Sequence, residues 1–211
     1  MELTRAAIVV SHPDDEILWF GSIVAKVGRV IIIHGDYAPT PERGPGRRRA
    51  IEAYPLQSVA FLDLPEPGEV RADAEPELTR ELAARLREAL DGFQVVFTHN
   101  AWGEYGHADH RRAHAAVMSL SAEMAFTVYV SGYLGPAAIG RFEEETKRRF
   151  VEVVSFETDR EPLDAIRDLY KRHDCWTWVR DWAWPREEHF LRVGPGAPLR
   201  RATIPLHFIC Q

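Results

Sequence analysis

Short apolar runs that alternate with helical patterns are the feature of this sequence that most limits its possible folds. Residues 5–11 (RAAIVVS) and 29–35 (RVIIIHG) are rich in Val and Ile, which is typical of buried strands. The segment between them, 15–28, has the dense apolar content of a buried helix. A strand, helix, strand order of this kind predicts neighbouring parallel strands.

The same alternation continues along most of the chain. The clearest helix is predicted at 76–93, where four leucines recur at every fourth residue and Gly92 marks the end. Further predicted elements are helices at about 46–55 and 107–124, and strands at 58–64, 94–100, 126–134 and 150–156. The series predicts an α/β fold with a mainly parallel, doubly wound sheet covered by helices, in one domain spanning 1–211.

Composition and charge exclude several classes of protein. Hydrophobic residues make up 45% of the chain and charged residues 27%, as in an ordinary globular protein. The net charge of −6 provides no basic field for nucleic acid or an anionic membrane, and no apolar run is long enough to span a bilayer. Cys175 and Cys210 are too few for a disulfide framework or a thiolate metal site. We therefore expect a cytoplasmic protein without nucleic-acid or membrane partners.

Two clusters of imidazoles and carboxylates follow predicted strands. SHPDDE (11–16) comes directly after the first strand, and NAWGEYGHADHRRAH (100–114) comes after the strand 94–100. The candidate groups are His12, Asp14, Asp15 and Glu16 in the first cluster and Glu104, Tyr105, His107, Asp109, His110 and His114 in the second. Because ligands of open α/β sheets bind at the carboxyl ends of strands, the two loops share one crevice if their strands are neighbours.

The crowding of carboxylates in SHPDDE calls for a counter-ion. Adjacent carboxylates repel each other unless a cation lies between them or one takes a proton. Imidazoles together with carboxylates suit zinc or iron, and a spare carboxylate can take the proton of a water molecule at such a site. The alternatives are a helix cap for the acidic run and a solvated helix start for HADH.

SHPDDE together with EYGHADH resembles the paired signatures of the PIG-L/LmbE-like zinc deacetylase superfamily. The resemblance covers about the first 115 residues and implies a Rossmann-like three-layer domain. It implies that His12, Asp15 and His110 hold one divalent ion, zinc or iron, and that Asp14 is the general base for the attacking water.

The resemblance also implies roles for residues around the metal. His107 would support the tetrahedral oxyanion, Asp109 would orient the His107 ring, and Tyr105 would help to polarise the carbonyl. Arg49, spaced as RxxE with its partner on a predicted helix, would approach the sugar or an anionic substituent. The alternative for Arg49 is an ordinary surface ion pair.

Some segments depart from the family pattern or keep two interpretations. Ser11 replaces the usual Ala or Pro, and LPEPG (64–68) replaces Leu-Pro-Asp-Gly, so a substrate contact assigned to that aspartate is not expected to carry over. Glu16 is expected only to begin a helix. The tryptophans between Trp176 and Trp184 alternate like a half-buried strand or loop, and they either fill the core or stack on a sugar.

The implied reaction is hydrolysis of an N-acetyl, or other N-acyl, group from an amino sugar or a sugar-containing metabolite. The alternatives are an amidase of thiol–sugar conjugates, a deacylase for longer chains, and a non-catalytic carbohydrate-binding protein. The last is disfavoured because neither the base nor a ligand is missing. The chain has little room for long pocket walls, and self-association into a homo-oligomer could supply one.

Overall fold

The Val- and Ile-rich runs form the centre of a seven-stranded sheet in the computed structural model of the protein. The structure describes residues 1–35, 44–53, 58–67, 70–145, 150–176, 178–179, 182–194, 199 and 204–209. Its strands are β1 (Ala6–Val10), β2 (Arg29–Ile32), β3 (Val59–Phe61), β4 (Val95–Thr98), β5 (Thr127–Ser131), β6 (Tyr133–Leu134), β7 (Phe150–Glu157), β8 (Glu187–Val193) and β9 (His207–Phe208). Its α-helices are α1 (Asp15–Phe20), α2 (Gly44–Glu52), α3 (Glu75–Ala89), α4 (Ala108–Met124), α5 (Ile139–Glu145) and α6 (Arg160–Arg172).

The strand order of the large sheet is β3-β2-β1-β4-β5-β8-β7. The first five strands in this order are parallel, and β8 pairs antiparallel with both β5 and β7. A small second sheet pairs β6 with β9. The expected α/β fold with a mainly parallel sheet is therefore confirmed.

Side chains of β1 alternate between two hydrophobic layers. Ile8 and Val10 pack on the side that holds α1 and α6, while Ala7 and Val9 pack on the side that holds α3 and α4. Every residue of β1 is buried, as expected for a parallel strand covered by helices on both faces. These two layers place helices on both sides of the sheet.

The helix expected at 15–28 is shorter in the structure and ends at Phe20. In a continuing helix, the N–H of Ser22 would donate to the carbonyl oxygen four residues earlier in the same helix. Instead this N–H donates to the buried carboxylate of Glu188 at 2.8 Å, and the chain continues as a series of turns. A partner 166 residues away thus ends the helix.

The central pair of strands places the two polar loops together. β1 and β4 are parallel neighbours, so their carboxyl ends meet at one edge of the sheet. The helix after β1 packs in one layer and the helix after β4 packs in the other, which opens a crevice between the loops. Within the described ranges, no helix is both long and apolar enough to cross a membrane.

Candidate metal and catalytic site

The loop after β1 turns sharply at Asp14. Asp14 has φ 104° and ψ −26°, a left-handed conformation that costs about 1–3 kcal/mol for a residue other than glycine. The N–H of Asp14 donates to a carboxylate oxygen of Glu16 at 2.9 Å, and the hydroxyl of Tyr170 donates to the other oxygen at 2.6 Å. Glu16 is fully buried, so the expectation that it only begins the helix was incomplete: its carboxylate also stabilises the turn at Asp14.

Asp15 faces back into the loop from the first turn of α1. One of its carboxylate oxygens accepts the N–H of His12 at 2.8 Å, and the other accepts the indole N–H of Trp19 at 2.8 Å. Burial opposes ionisation of this carboxyl, but His110 and His99 hold its pKa well below the usual range. Asp15 is therefore a carboxylate at neutral pH and a suitable metal ligand.

The loop after β4 needs a tight backbone at 103–106. Gly103, Glu104 and Gly106 all have positive φ, with values of 71°, 52° and 102°. A side chain at Gly103 would place a Cβ 2.5 Å from the carbonyl oxygen of His107, so only glycine fits there. The turn directs the buried Glu104 carboxylate beneath the two histidines His99 and His110.

The predicted ligands His12, Asp15 and His110 are brought together. Nδ1 of His12 lies 3.3 Å from Oδ2 of Asp15, and Nε2 of His110 lies 3.3 Å from Oδ1 of the same carboxylate. Three overlapping triples of ligand atoms lie within 4.8 Å of one another: His12–His107–His110, His12–His34–Asp109 and Asp15–His99–His110. Among the described residues, the complete predicted set His12–Asp15–His110 is not one of these triples, and no triple contains more than two of its members. The ligand set therefore stays a prediction.

The buried Nε2 atom of His110 shows that these residues fit a metal ion. Nδ1 of His110 lies 2.8 Å from a Glu104 oxygen, which favours the proton on Nδ1 and a lone pair on Nε2. Nε2 has no hydrogen-bond partner among the described residues and faces the Asp15 oxygen. The lone pair on Nε2 of His110 and a lone pair on the Asp15 oxygen repel each other unless a proton or a cation lies between them. Burial opposes protonation, but Asp15 raises the pKa of His110 in the metal-free protein.

Glu104 and His99 make further contacts with His110 and with the loop after β1. Glu104 lies 3.1 Å from Nδ1 of His99, whose ring stacks on that of His110 with the centroids 3.8 Å apart. Nε2 of His99 accepts the N–H of Ser11 at 3.0 Å and thereby ties the two loops together. Burial opposes ionisation of Glu104, but His99 and His110 lower its pKa to about 2. The sequence indicated Glu104 as a candidate but gave it no role. Its contacts indicate that it orients the rings of His99 and His110.

The carboxylate of Asp109 lies closer to the ring nitrogen atoms of His12 than to those of His107. Its Oδ2 atom is 3.6 Å from Nε2 of His12 and 3.9 Å from Nδ1 of His107, while Arg112 donates to its other oxygen. The hydrogen bond between Asp109 and His107 comes from the backbone: the N–H of Asp109 donates to Nδ1 of His107 at 3.2 Å. The carboxylate of Asp109 therefore lies next to one ring nitrogen of the proposed ligand His12, as the carboxylate of Glu104 lies next to one ring nitrogen of His110.

A cavity of about 150 Å³ adjoins this cluster. Its lining residues, which define the metal-site cavity, are His12, Asp14, Asp15, Leu18, Glu66, Tyr105, His107 and Trp178. Oε1 of Glu66 lies 3.7 Å from Nε2 of His12, so a glutamate takes the place that the family pattern gives to an aspartate. Glu66 is a cavity residue that the sequence did not assign to the site, and Trp178 is one of the tryptophans for which core filling and sugar stacking were both left open.

The remaining predicted residues divide into two groups. Tyr105 lies between the rings of His107 and Trp178, with centroids 5.7 and 5.0 Å away, and burial raises the pKa of its hydroxyl above the usual range. Arg49 is exposed on α2 and is not among the residues that line the metal-site cavity. Its proposed contact with the substrate stays a prediction.

The match to a known family includes both loops. The PIG-L family, described as GlcNAc-PI de-N-acetylase, matches residues 7–121. The chain belongs to the PIG-L family. The matched segment contains the SHPDDE and HADH clusters and extends over more than half of the chain.

A curated deacetylase is similar to part of the chain. The chain is 30% identical over 164 residues to the 1D-myo-inositol 2-acetamido-2-deoxy-alpha-D-glucopyranoside deacetylase 1 of Saccharopolyspora erythraea. This match covers 57% of the chain and 54% of the relative, so the chain spans about half the length of that curated protein.

Solved structures of deacetylases share the fold. The structure of a deacetylase–teicoplanin complex from teicoplanin biosynthesis has a TM-score of 0.63 at 15% identity, covering 89% of this chain and 98% of that one. The zinc-inhibited form of teicoplanin deacetylase has a TM-score of 0.60 at 16% identity, covering 90% and 98%. At these identities the similarity shows that the chain has the same α/β architecture.

Proposed function

We propose that this chain is a metal-dependent hydrolase that removes an N-acetyl, or other N-acyl, group from an amino sugar or a sugar-containing metabolite. One observation carries the proposal: His12 and Asp15, two of the three candidate metal ligands, line one cavity together with Asp14. The third candidate, His110, has its Nε2 atom 3.3 Å from the Asp15 carboxylate. Membership of the PIG-L family and the deacetylase relative support the N-acyl amino sugar as substrate class.

His12, Asp15 and His110 would hold the ion, for which we propose zinc, with iron as the alternative. A dication at such a site supplies a Lewis acid that acidifies a water molecule and polarises an amide carbonyl. Asp109 and Glu104 would keep the two imidazoles oriented through their outer nitrogen atoms.

Asp14 is the proposed proton carrier. Asp14 lines the same cavity as Asp15 and precedes it with a left-handed backbone. Asp14 would take the proton of the attacking water and deliver it to the leaving amine nitrogen. The amide is thereby cleaved to an acid and a free amine, and the general base returns to its starting charge.

His107 is the proposed oxyanion donor. Because the backbone N–H of Asp109 donates to Nδ1, a neutral His107 ring carries its proton on Nε2. Burial and the nearby His110 and His12 lower the pKa of His107 to about 3 in the metal-free protein, which keeps this ring neutral. Its Nε2–H can therefore donate to the oxygen that becomes negative, with the Tyr105 hydroxyl as a second donor from the same cavity.

An acetate-release assay with zinc-loaded protein tests the proposal. The substrates are free, lipid-linked and nucleotide-linked N-acetylglucosamine. We expect Asp14→Asn to retain zinc and to lower kcat about 10²- to 10⁴-fold, because it removes the base and leaves the ligands. Asp91→Asn, at an exposed position, is the matched control.

Two results would overturn parts of this proposal. Full turnover by Asp14→Asn would remove the base assignment. No product from any acetylated substrate, with glycans nevertheless bound by the zinc-loaded protein, would favour the carbohydrate-binding alternative. Cytoplasmic location and self-association stay separate predictions, to be measured by cell fractionation and by light scattering.

A further inference from the structure

Trp19 contacts a proposed metal ligand from inside the core. It follows Asp15 by four residues on helix α1, so the two side chains lie on the same face of that helix. The indole N–H of Trp19 donates to Oδ1 of Asp15 at 2.8 Å. The side chain of Trp19 is fully buried and is not among the residues that line the metal-site cavity. Trp19 can therefore act on the site only through its neighbours.

Two other fully buried tryptophans use their indole N–H groups differently. Trp102 donates to the carbonyl oxygen of Tyr133 at 2.7 Å, and Trp184 donates to the carbonyl oxygen of Ile17. A backbone carbonyl is thus sufficient to satisfy a buried indole in this fold. Burial alone does not account for a carboxylate as the acceptor for Trp19.

Neighbouring aromatic rings fix the direction of the Trp19 N–H. Trp19 makes edge contacts with Tyr133, Trp178 and Trp182, with ring centroids 5.2, 5.2 and 5.7 Å away. An indole enclosed by three other rings cannot rotate without displacing them. Its N–H therefore stays directed at Asp15.

The Asp15 carboxylate is held by one donor on each oxygen. The backbone N–H of His12 donates to Oδ2 at 2.8 Å, and Trp19 donates to Oδ1. In this orientation Oδ2 lies 3.3 Å from Nδ1 of His12, and Oδ1 lies 3.3 Å from Nε2 of His110. Since a carboxylate oxygen has two lone pairs, each oxygen keeps one for an ion. The two donors thus direct one oxygen toward each proposed histidine ligand.

We propose that Trp19 is a positioning residue whose indole N–H fixes the Asp15 carboxylate in the orientation that binds the metal ion. This inference rests on the ligand set of the proposed function. Loss of the N–H is expected to weaken zinc binding and to change the coordination geometry, and both effects should depend on the presence of Asp15.

The zinc affinity of Trp19→Phe, measured by competition with a chromophoric chelator, tests the proposal. Phenylalanine keeps an aromatic ring and removes the donor, so we expect the affinity to fall about 10- to 100-fold. The visible absorption bands of the Co²⁺-loaded protein should also change, because they depend on coordination geometry. Benzothienylalanine at position 19 has sulfur in place of the N–H and keeps both fused rings, and it should give the same result with the packing preserved.

Trp102→Phe is the matched control, because it also removes a buried indole N–H but one that donates to a carbonyl oxygen. It should leave the zinc affinity within about twofold of wild type. A double-mutant cycle tests whether Trp19 acts through its partner. When Trp19→Phe is added to Asp15→Ala, the zinc affinity should change by less than about twofold, since the carboxylate that Trp19 positions is absent.

Two results would overturn the positioning role of Trp19. One is an unchanged zinc affinity in folded Trp19→Phe, and the other is an equal loss of affinity with and without the Asp15 carboxylate. Failure of the wild-type protein to bind zinc in the same assay would instead overturn the ligand set of the proposed function, and the role of Trp19 with it.

Discussion

Glu104 holds two imidazoles of the site with one carboxylate oxygen. That oxygen lies 2.8 Å from Nδ1 of His110 and 3.1 Å from Nδ1 of His99. The other oxygen accepts from the backbone N–H of Asn100 and from the hydroxyl of Ser131, so the carboxylate cannot turn away. Glu104 thus determines which nitrogen of His110 is left for a metal ion.

Replacing this carboxylate is expected to weaken metal binding. Glu104→Gln keeps the side-chain size but removes the charge that favours a proton on Nδ1 of His110. Loss of such an outer partner typically lowers metal affinity 10- to 100-fold. Competition with a chromophoric zinc chelator measures the change.

Glu188 provides a matched control for Glu104. It is also a buried glutamate, but it accepts from Tyr133 and from the N–H of Ser22. Glu188→Gln should therefore leave the zinc affinity within about twofold of wild type. An unchanged affinity in Glu104→Gln would show that His110 is oriented without its carboxylate partner.

Helix α6 stabilises the base-bearing turn at the start of α1. The Tyr170 hydroxyl on α6 donates to Glu16, and the second oxygen of Glu16 accepts the N–H of Asp14. The left-handed backbone at Asp14 is thus held through a buried chain of two hydrogen bonds. An element 154 residues away along the chain positions the proposed base.

Tyr170→Phe tests this connection. The substitution removes one hydrogen bond to a buried carboxylate, which costs about 1.5–3 kcal/mol of stability. We also expect kcat to fall about tenfold, equivalent to about 1.4 kcal/mol in the activation barrier, while zinc affinity and KM change little. Steady-state kinetics, zinc titration and thermal unfolding separate these effects.

The control for Tyr170 is Tyr129→Phe, at a buried tyrosine of β5. It should leave kcat unchanged. If Tyr170→Phe lowered the unfolding temperature but left kcat at the wild-type value, Tyr170 would support folding alone.

The elements that the sequence predicted are those with local signals. The parallel half of the sheet follows from Val- and Ile-rich runs, and α3 follows from leucines of which Leu82, Leu86 and Leu90 are buried. β8 was not predicted, because its antiparallel place between β5 and β7 depends on pairing across distant parts of the chain. The same limit applies to Tyr170, whose role depends on a contact with Glu16.

At the candidate site, the types of residue could be predicted from the sequence, but the contacts between these residues could not. The two clusters were recognised by their residue types, and the choice of His12, Asp15 and His110 as ligands came from the resemblance to the family. The choice of Asp109 as a partner for His12 depends on the turn at 103–106 and on Arg112, which holds the other oxygen. Backbone conformation at that turn, with φ of 52° at Glu104, carries no clear signal in the residue types.

Across the whole molecule, the buried histidines make stability depend on pH and on metal. Burial opposes protonation of His12, but Asp109 and Asp15 raise its pKa to about 9. His34 has a pKa lowered to about 4 by burial and by His12, so its contribution is complete above about pH 7. Between pH 7 and 9 the titration of His12 therefore makes stability depend on pH.

The metal-free protein is expected to lose stability as the pH rises from 7 to 9. A histidine whose folded pKa is raised stabilises the fold below its unfolded pKa of about 6.5, and this stabilisation is lost as the pH approaches 9. Zinc requires neutral imidazole ligands, so its stabilising effect should increase over the same interval. The guanidinium concentration at the midpoint of unfolding is measured at pH 7, 8 and 9, once with chelator and once with zinc. With chelator it should fall as the pH rises, and with zinc it should fall less or rise. His12→Gln should flatten the chelator series, and a midpoint that rises with pH in the presence of chelator would show that His12 is neutral in the metal-free fold.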